Sequence, residues 1–200
     1  QARGLAVIID VFRAFSVAPY VMANGARAII PVADIREAYR LKEAHPEYLL
    51  MGERDGRIQP GFDFGNSPHA VHRVDFSGRT VVQTTSAGTQ GIIAALGGAE
   101  RVLTGSFVNA GAVVRFIRRE QPSILSLVCM GVFGRSRAQE DEACAQYIRS
   151  GLAGRAYDFP AAVQALRLGR GRQFFDPAQA DSFQPEDFTL SLIHISEPTR

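Results

Sequence analysis

The sequence has one lysine, two cysteines and no tryptophan among its 200 residues. Lys42 does not lie in a phosphate-binding P-loop, and no G-x-G-x-x-G segment follows the first apolar run, which disfavours a Rossmann dehydrogenase and a P-loop protein. Cys129 and Cys144 lack C-x-x-C spacing, so no disulfide scaffold is predicted and a cytoplasmic, reducing compartment is expected. Cys129 lies in an apolar run and is expected to be a buried small hydrophobe.

Long apolar runs and blocks of basic residues are absent as well. No run reaches the ~18 residues that a membrane span needs. The arginines are scattered singly and the formal net charge is only +2, so neither a membrane nor a nucleic acid is a predicted partner. A small-molecule substrate is the expected partner, and a homo-oligomer is left open. The composition, 46% hydrophobic and 21% charged, is that of a globular domain.

Short apolar runs alternate with helix-like stretches along the chain. Runs of strand length cover residues 5–9, 28–32, 48–51, 80–83, 101–103 and 124–128. They are continuously apolar, which is typical of strands buried on both faces of a parallel sheet. Helical patterns cover residues 14–23, 35–44, 89–96, 140–152 and 160–168, and a further one follows Asn109 through Val113, Phe116 and Ile117. We therefore predict an α/β fold, with a layered, largely parallel sheet and helices on both faces.

Polar clusters begin where several apolar runs end. Asp10, Glu53 and Ser106 each follow such a run. In a parallel sheet the carboxyl ends of the strands lie at one edge, where ligands bind. The turns 84–89 and 105–109 lead into predicted helices, so their backbone N–H groups can face an anion.

Acidic residues at the same predicted edge suit a magnesium ion. Mg²⁺ takes carboxylate oxygens, water and substrate phosphate as ligands. The candidates are Asp10, Glu53, Asp63, Glu140 and Asp141. Arg13 and Arg54, close to two of these residues in the chain, can clamp anionic oxygens in a bidentate fashion.

Each of these features also has a purely structural interpretation. Asp10 can cap the helix that follows it, and residues 140–142 can favour a helix N-terminus through its dipole. Arg13 can pair with a structural carboxylate, and the turn 84–89 can be a structural turn without a ligand. The residues alone therefore leave the function open.

Taken in order, several segments resemble one family closely. They are IDVFRA at 9–14, ANGA at 23–26, GER at 52–54, GFDFGNSP at 61–68, TTSAGT at 84–89, GSFVNA at 105–110, and 129–134 followed by Glu140-Asp141. Over about residues 5–152 the chain resembles the 2-phosphosulfolactate phosphatases. The resemblance implies an α/β, Mg²⁺-dependent phosphoric monoester hydrolase. Such an enzyme converts 2-phospho-3-sulfolactate to 3-sulfolactate and phosphate in coenzyme M biosynthesis.

The resemblance, together with the acidic edge, gives an expected site. The expected catalytic residues are Asp10, Arg13, Glu53 and Asp141. The expected ligands of Mg²⁺ are Asp10, Glu53, Asp63 and Asp141. The expected substrate-binding residues are Arg54, Asn66, Ser67, Thr85, Ser86, Gly88, Ser106 and Asn109. Departures from the family pattern in the segments 10–16, 85–89 and 138–141 alter the pocket wall more than the acidic set.

Two other functions stay open on the sequence. One is a phosphatase of the haloacid dehalogenase type with Asp10 as nucleophile, although Phe12 stands where that motif has a second aspartate. The other is a protein that binds a small anion without turnover.

The last residues of the chain have an unusual sequence. Residues 190–200 read LSLIHISEPTR, which resembles the translation of a transposase adapter used in sequencing libraries. We expect this tail to be non-native. A single α/β domain is then expected over residues 1–189, lacking native residues at both ends.

Overall fold

The structure, a computed structural model, describes residues 2–54 and 56–193. Its strands are β1 (Gly4–Ile9), β2 (Ala28–Pro31), β3 (Leu49–Gly52), β4 (Thr80–Thr84), β5 (Ala99–Gly105) and β6 (Leu125–Cys129). Its α-helices are α1 (Ala14–Ala23), α2 (Ile35–Ala44), α3 (Pro68–Val71), α4 (Gly88–Leu96), α5 (Ala110–Glu120), α6 (Gln139–Leu152), α7 (Phe159–Leu168) and α8 (Pro185–Leu192). Two 3₁₀ segments, Arg170–Phe175 and Pro177–Gln179, lie between α7 and α8.

The strands form two parallel sheets of three strands each. The first sheet has the order β5-β1-β6, and the second has the order β2-β4-β3. In the first sheet Ile9 pairs with Gly105 and Cys129, so the strand ends are level; Gly52 and Thr84 are paired in the same way in the second. The predicted parallel α/β fold is confirmed. The division into two sheets was not predicted, because an apolar run does not encode which other run it pairs with.

Helices cover both faces of each sheet, as predicted. In β1, Val7 and Ile9 face a core built with α5, α6, α7 and α8, whereas Ile8 faces α1 and α4. In β4, Val81 packs towards α1 and α3, whereas Val82 packs towards α2. Each such buried aliphatic side chain stabilises the fold by about 1.5–3 kcal/mol.

Three features near the ends of predicted elements differ from expectation or extend it. Cys129 is exposed, which corrects its assignment as a buried residue, because it stands at the last position of an edge strand. Beyond residue 168 the chain continues into the 3₁₀ segments and α8, for which no pattern was found. The last turn of α8 overlaps the predicted tail 190–200: the Tyr20 hydroxyl donates to Leu190 O at 2.8 Å, and Leu192 is buried. Residues 194–200 of that tail lie outside the described residues.

Within residues 2–54 and 56–193, every helix falls short of the length and apolarity that a membrane crossing requires.

We expect Gly52→Ala to lower the free energy of unfolding by about 3 kcal/mol or more. Gly52 has φ +142°, and a Cβ atom there would lie 1.8 Å from the carbonyl oxygen of Thr84 on the neighbouring strand. Gly97→Ala is the matched control, since Gly97 has φ −75° and its added Cβ would meet nothing closer than 3.8 Å. Urea denaturation of both variants provides the measurement. Equal midpoints for the two variants would contradict the close approach of β3 to β4.

Candidate active site

A cavity of about 300 Å³ opens where strands of both sheets end. Its wall is formed by the segments that follow β1, β3, β4 and β6, by the first turn of α6 and by the 3₁₀ segment after α7. Six charged side chains line it: Asp10, Arg13, Glu53, Glu140, Asp141 and Arg170. The cavity therefore gathers four carboxylates and two guanidinium groups.

Asp141 joins the ends of two neighbouring strands. Its Oδ1 accepts a hydrogen bond from Val11 N at 2.9 Å, and its Oδ2 accepts one from Gly131 N at 2.8 Å. Burial raises the pKa of Asp141 to about 7, although its two backbone hydrogen bonds lower the pKa. The carboxylate is thus fixed in position by the main chain on both oxygens.

Asp10 follows β1 and lies on the cavity wall, where it is buried. Burial raises the pKa of Asp10 well above its ordinary range, and the negative charges of Asp141, Glu53 and Glu140 raise it further. The N-terminus of α4 comes close to it, because a Cβ atom at Gly88 would lie 2.8 Å from Asp10 Oδ2. A glycine at residue 88 allows this approach of the helix end to the carboxylate.

Glu53 comes from the second sheet. Its Oε2 accepts from Gly56 N at 2.7 Å and from the Ser86 hydroxyl at 3.0 Å, and its Oε1 accepts from Ser86 N at 2.8 Å. These bonds connect the end of β3 with the turn that follows β4. The second sheet thereby contributes an oriented carboxylate to a cavity whose other acids follow strands of the first sheet.

Arg13 forms an ion pair with Asp187, a carboxylate that does not line the cavity. Its Nη1 lies 2.5 Å from Asp187 Oδ2 in α8, and its guanidinium carbon lies 4.7 Å from the ring centre of Phe183. Asp187 is fully buried, and its Oδ1 also accepts from the Ser67 hydroxyl at 2.7 Å and from His69 N at 2.9 Å. The structural pairing considered for Arg13 is present, and Arg13 lines the cavity as well.

The cavity lining is rich in carboxylate oxygens, the donor type that a hard cation takes. In the part of the chain that the structure describes, no three His, Cys, Asp or Glu side chains are grouped as a metal site. The four carboxylates nevertheless outnumber the two cations, and Glu140 Oε2 is buried without a hydrogen-bond partner. Mg²⁺ is commonly held by one or two carboxylates together with water and substrate phosphate. Asp10, Glu53 and Asp141 offer carboxylate oxygens, the donor type of that mode of binding, and both oxygens of Glu53 and of Asp141 also accept backbone hydrogen bonds.

The sequence of the chain also matches a known protein family. A model of the family described as 2-phosphosulpholactate phosphatase matches residues 1–172 of the chain. The chain belongs to the 2-phosphosulfolactate phosphatase family.

Several bacterial proteins named probable 2-phosphosulfolactate phosphatase are similar in sequence to this chain. The protein of Deinococcus radiodurans is 37% identical over 96% of this chain and 80% of its own length. The protein of Bacillus subtilis is 31% identical over 95% and 82%, respectively. The protein of Caldicellulosiruptor saccharolyticus is 40% identical over 71% of this chain, and the match spans 60% of that relative. The match with the protein of Thermotoga petrophila spans 55% of that protein's own length.

Six of the residues expected from the sequence line the cavity. They are Asp10, Arg13, Glu53, Asn66, Ser86 and Asp141. Gly88 does not line it but lies against Asp10, as described above. The predicted roles of these residues in metal binding, substrate binding and catalysis stay predictions.

Two residues of the expected site contact the second sheet instead of the cavity. Asp63 Oδ2 accepts a hydrogen bond from Leu50 N at 2.8 Å, so this carboxylate stabilises the start of β3. Arg54 donates to Thr84 Oγ1 at 2.7 Å and to Ala33 O at 3.0 Å. These contacts occupy both side chains away from the cavity lining.

The other four expected substrate-binding residues close turns or cap helices. Thr85 N donates to the hydroxyl of Thr89 at 2.9 Å, and Ser106 N donates to Asn109 Oδ1 at 2.9 Å. Ser67 caps α3 and donates to Asp187. None of the four appears in the cavity lining, and the turn-forming hydrogen bonds give the physical reason.

The analysis of the sequence missed part of the cavity wall. Glu140, considered above as a magnesium ligand, was left out of the expected site yet lines the cavity, as do Arg170, Gln173 and Phe183. Asp187 was missed as the partner of Arg13. The resemblance stated from the sequence covered about residues 5–152, whereas the family model extends to residue 172; the one available signal beyond 152 was the Arg- and Phe-rich stretch 167–175.

We expect Asp187→Ala to lower the free energy of unfolding by about 3–5 kcal/mol, because it leaves the buried Arg13 guanidinium without its counter-charge. Glu186→Ala is the control, since Glu186 is the exposed neighbour in the same helical turn, and a change within about 0.5 kcal/mol is expected. Chemical denaturation measures both changes. Similar losses for the two variants would show that the ion pair does not hold the site together.

In EDTA, we expect the free energy of unfolding to fall as the pH rises from about 4 to about 7. The pKa of Asp141 is about 7 in the folded protein, so the folded state binds the proton that the unfolded state has already released. Thermal unfolding at pH 5 and pH 8 measures the effect, with Asp141→Asn as comparison. The variant should gain stability relative to the original protein at the higher pH. An unchanged difference between the two proteins would contradict the raised pKa.

Proposed function

We propose that this chain is an Mg²⁺-dependent phosphatase that hydrolyses 2-phosphosulfolactate, or a similar small anionic phosphate ester, to 3-sulfolactate and phosphate. The observation that carries the proposal is the gathering of four carboxylates and two arginines around one cavity of about 300 Å³. Membership of the family supports the same reaction. The cavity volume suits a small substrate rather than a polymer.

The charges of the cavity explain why a cation belongs to the proposal. A phosphate ester carries negative charge, and the four carboxylates would repel it. Mg²⁺, held by Asp10, Glu53 or Asp141, would neutralise the charge of the phosphoryl group and prepare a water molecule for attack. Removal of the metal is therefore expected to abolish turnover.

The side chains divide the remaining work by their positions. In the reaction the ester P–O bond breaks, the attacking oxygen bonds to phosphorus, and the alkoxide leaving group takes up a proton. Asp10 is the residue we assign to the attack, either by accepting the proton of the attacking water or as the nucleophile itself. The second route passes through an aspartyl-phosphate, which acid quenching would trap. Arg13, Asn66 and Ser86 line the cavity, and we assign them to the binding of phosphate oxygens.

The cellular part of the proposal follows from the substrate. Formation of sulfolactate would place the reaction in coenzyme M biosynthesis, and the low cysteine content agrees with a cytoplasmic enzyme. Turnover of a different ester in preference to 2-phosphosulfolactate would keep the phosphatase and remove that pathway.

We expect Mg²⁺-dependent phosphate release from 2-phosphosulfolactate, and a decrease in kcat of about 10²-fold or more in Asp10→Asn. Release of inorganic phosphate, measured with Mg²⁺ and with EDTA over a panel of small phosphate esters, provides the test. Glu142→Gln is the control, because Glu142 lies in the same helix as Asp141 but pairs with Arg137 outside the cavity. It should retain activity within a few-fold.

The same assay separates the alternatives. A decrease of less than ~10-fold in Asp10→Asn would remove Asp10 from the mechanism. Absence of turnover by a folded protein that still binds the esters would instead favour the small-anion-binding function.

A further inference from the structure

Arg170 is a cavity residue to which the proposed reaction assigns no role. It begins the 3₁₀ segment Arg170–Phe175, and its Nε lies 3.3 Å from Oε1 of Glu140 in the first turn of α6. The Nε atom itself is buried, yet 37% of the Arg170 side chain is exposed, whereas 3% of the Glu140 side chain is exposed. The guanidinium is thus held at one end by a buried carboxylate on the cavity wall.

The two guanidinium groups of the cavity differ in how they are held. Arg13 is paired at 2.5 Å with Asp187, a fully buried carboxylate outside the cavity lining, and is flanked by Phe183. Arg170 is paired more loosely, at 3.3 Å, with a carboxylate that is itself part of the lining. Glu140 Oε2 accepts no hydrogen bond although it is buried. The Glu140–Arg170 pair is therefore a polar group on the wall whose hydrogen-bonding capacity is not used up within the protein.

The proposed substrate has more anionic groups than its phosphate. 2-Phosphosulfolactate also carries a carboxylate and a sulfonate, both of which stay ionised at neutral pH. Asp10, Glu53 and Asp141 can serve the phosphate through a cation, but they repel a second anion. A guanidinium presents a planar fork of N–H donors that matches two oxygens of a carboxylate or sulfonate.

We propose that Arg170 binds one of the two other oxyanions of the substrate, its carboxylate or its sulfonate, and that Glu140 positions the Arg170 guanidinium for this contact. The inference rests on the proposed function and names the residue that selects its substrate. Arg170 then distinguishes phosphate esters that carry the contacted acidic group from esters that lack it. Glu140 is a positioning residue, since it acts on the substrate through Arg170.

The test compares three phosphate esters: 2-phosphosulfolactate, 2-phospholactate without the sulfonate, and the phosphate ester of 2-hydroxyethanesulfonate without the carboxylate. In Arg170→Ala, kcat/KM should fall at least about 10-fold, mainly through KM, for 2-phosphosulfolactate and for the one analogue that keeps the oxyanion contacted by Arg170. The other analogue should change less than about 3-fold. Arg172→Ala is the matched control, because Arg172 lies in the same 3₁₀ segment but is exposed and outside the cavity lining.

The role of Glu140 has its own readout. Glu140→Gln keeps an oxygen that can face Arg170 Nε, whereas Glu140→Ala does not. The alanine variant should show the same selective rise in KM as Arg170→Ala, and the glutamine variant should recover part of it. Equal changes for all three esters would show a general structural effect.

Two further results would overturn the inference. One is an equal loss for all three esters in Arg170→Ala, and the other is no loss for any. If the original protein hydrolyses none of them, the proposed function fails, and calorimetric titration with 3-sulfolactate then decides the inference separately. Weaker binding by Arg170→Ala than by the original protein supports it. Equal affinity, or no binding by either protein, overturns it.

Discussion

Four carboxylates line one cavity, and their negative charges repel one another. The rest of the site must compensate for this repulsion and for the removal of the carboxylates from water. Removing a carboxylate from water costs several kcal/mol unless hydrogen bonds or opposite charges compensate. Here the main chain supplies much of that compensation: Val11 N and Gly131 N donate to Asp141, and Ser86 N and Gly56 N donate to Glu53. The turns that supply these donors are the segments that follow the parallel strands. The fold therefore holds negative charge in place by the same backbone that forms the cavity wall.

The two sheets share a single site, and α1 connects them. Phe15 near the start of α1 packs in the core of the first sheet, whereas Val17 and Val21 pack in the core of the second. Asp10 directly follows β1 and Glu53 directly follows β3 of the second sheet. Packing of this helix against both hydrophobic cores holds the two sheets that carry these acids together. Burial of apolar surface in α1 has a direct consequence for the electrostatics of the cavity.

The sequence predicted what depends on local patterns. Continuous apolar runs indicated parallel strands, and Asp10 and Glu53 were found because each follows such a run. Side chains whose hydrogen bonds are made within the fold, such as those of Asn109 and Arg54, were not distinguishable from ligand-binding side chains. The reason is that composition does not show where a side chain points. Arg170 was missed for another reason: it lies in an irregular segment brought to the cavity by long-range packing.

The pairing of Arg13 with Asp187 has a consequence for how the protein acquires its structure during synthesis. The two partners are 174 residues apart in the chain, which is almost the whole length described. Contacts of such large sequence separation are associated with slow folding, because the loop must close before the contact contributes. On the ribosome, both sheets can emerge while Arg13 still lacks its counter-charge. The site reaches its final electrostatic balance only after α8 has left the exit tunnel and docked.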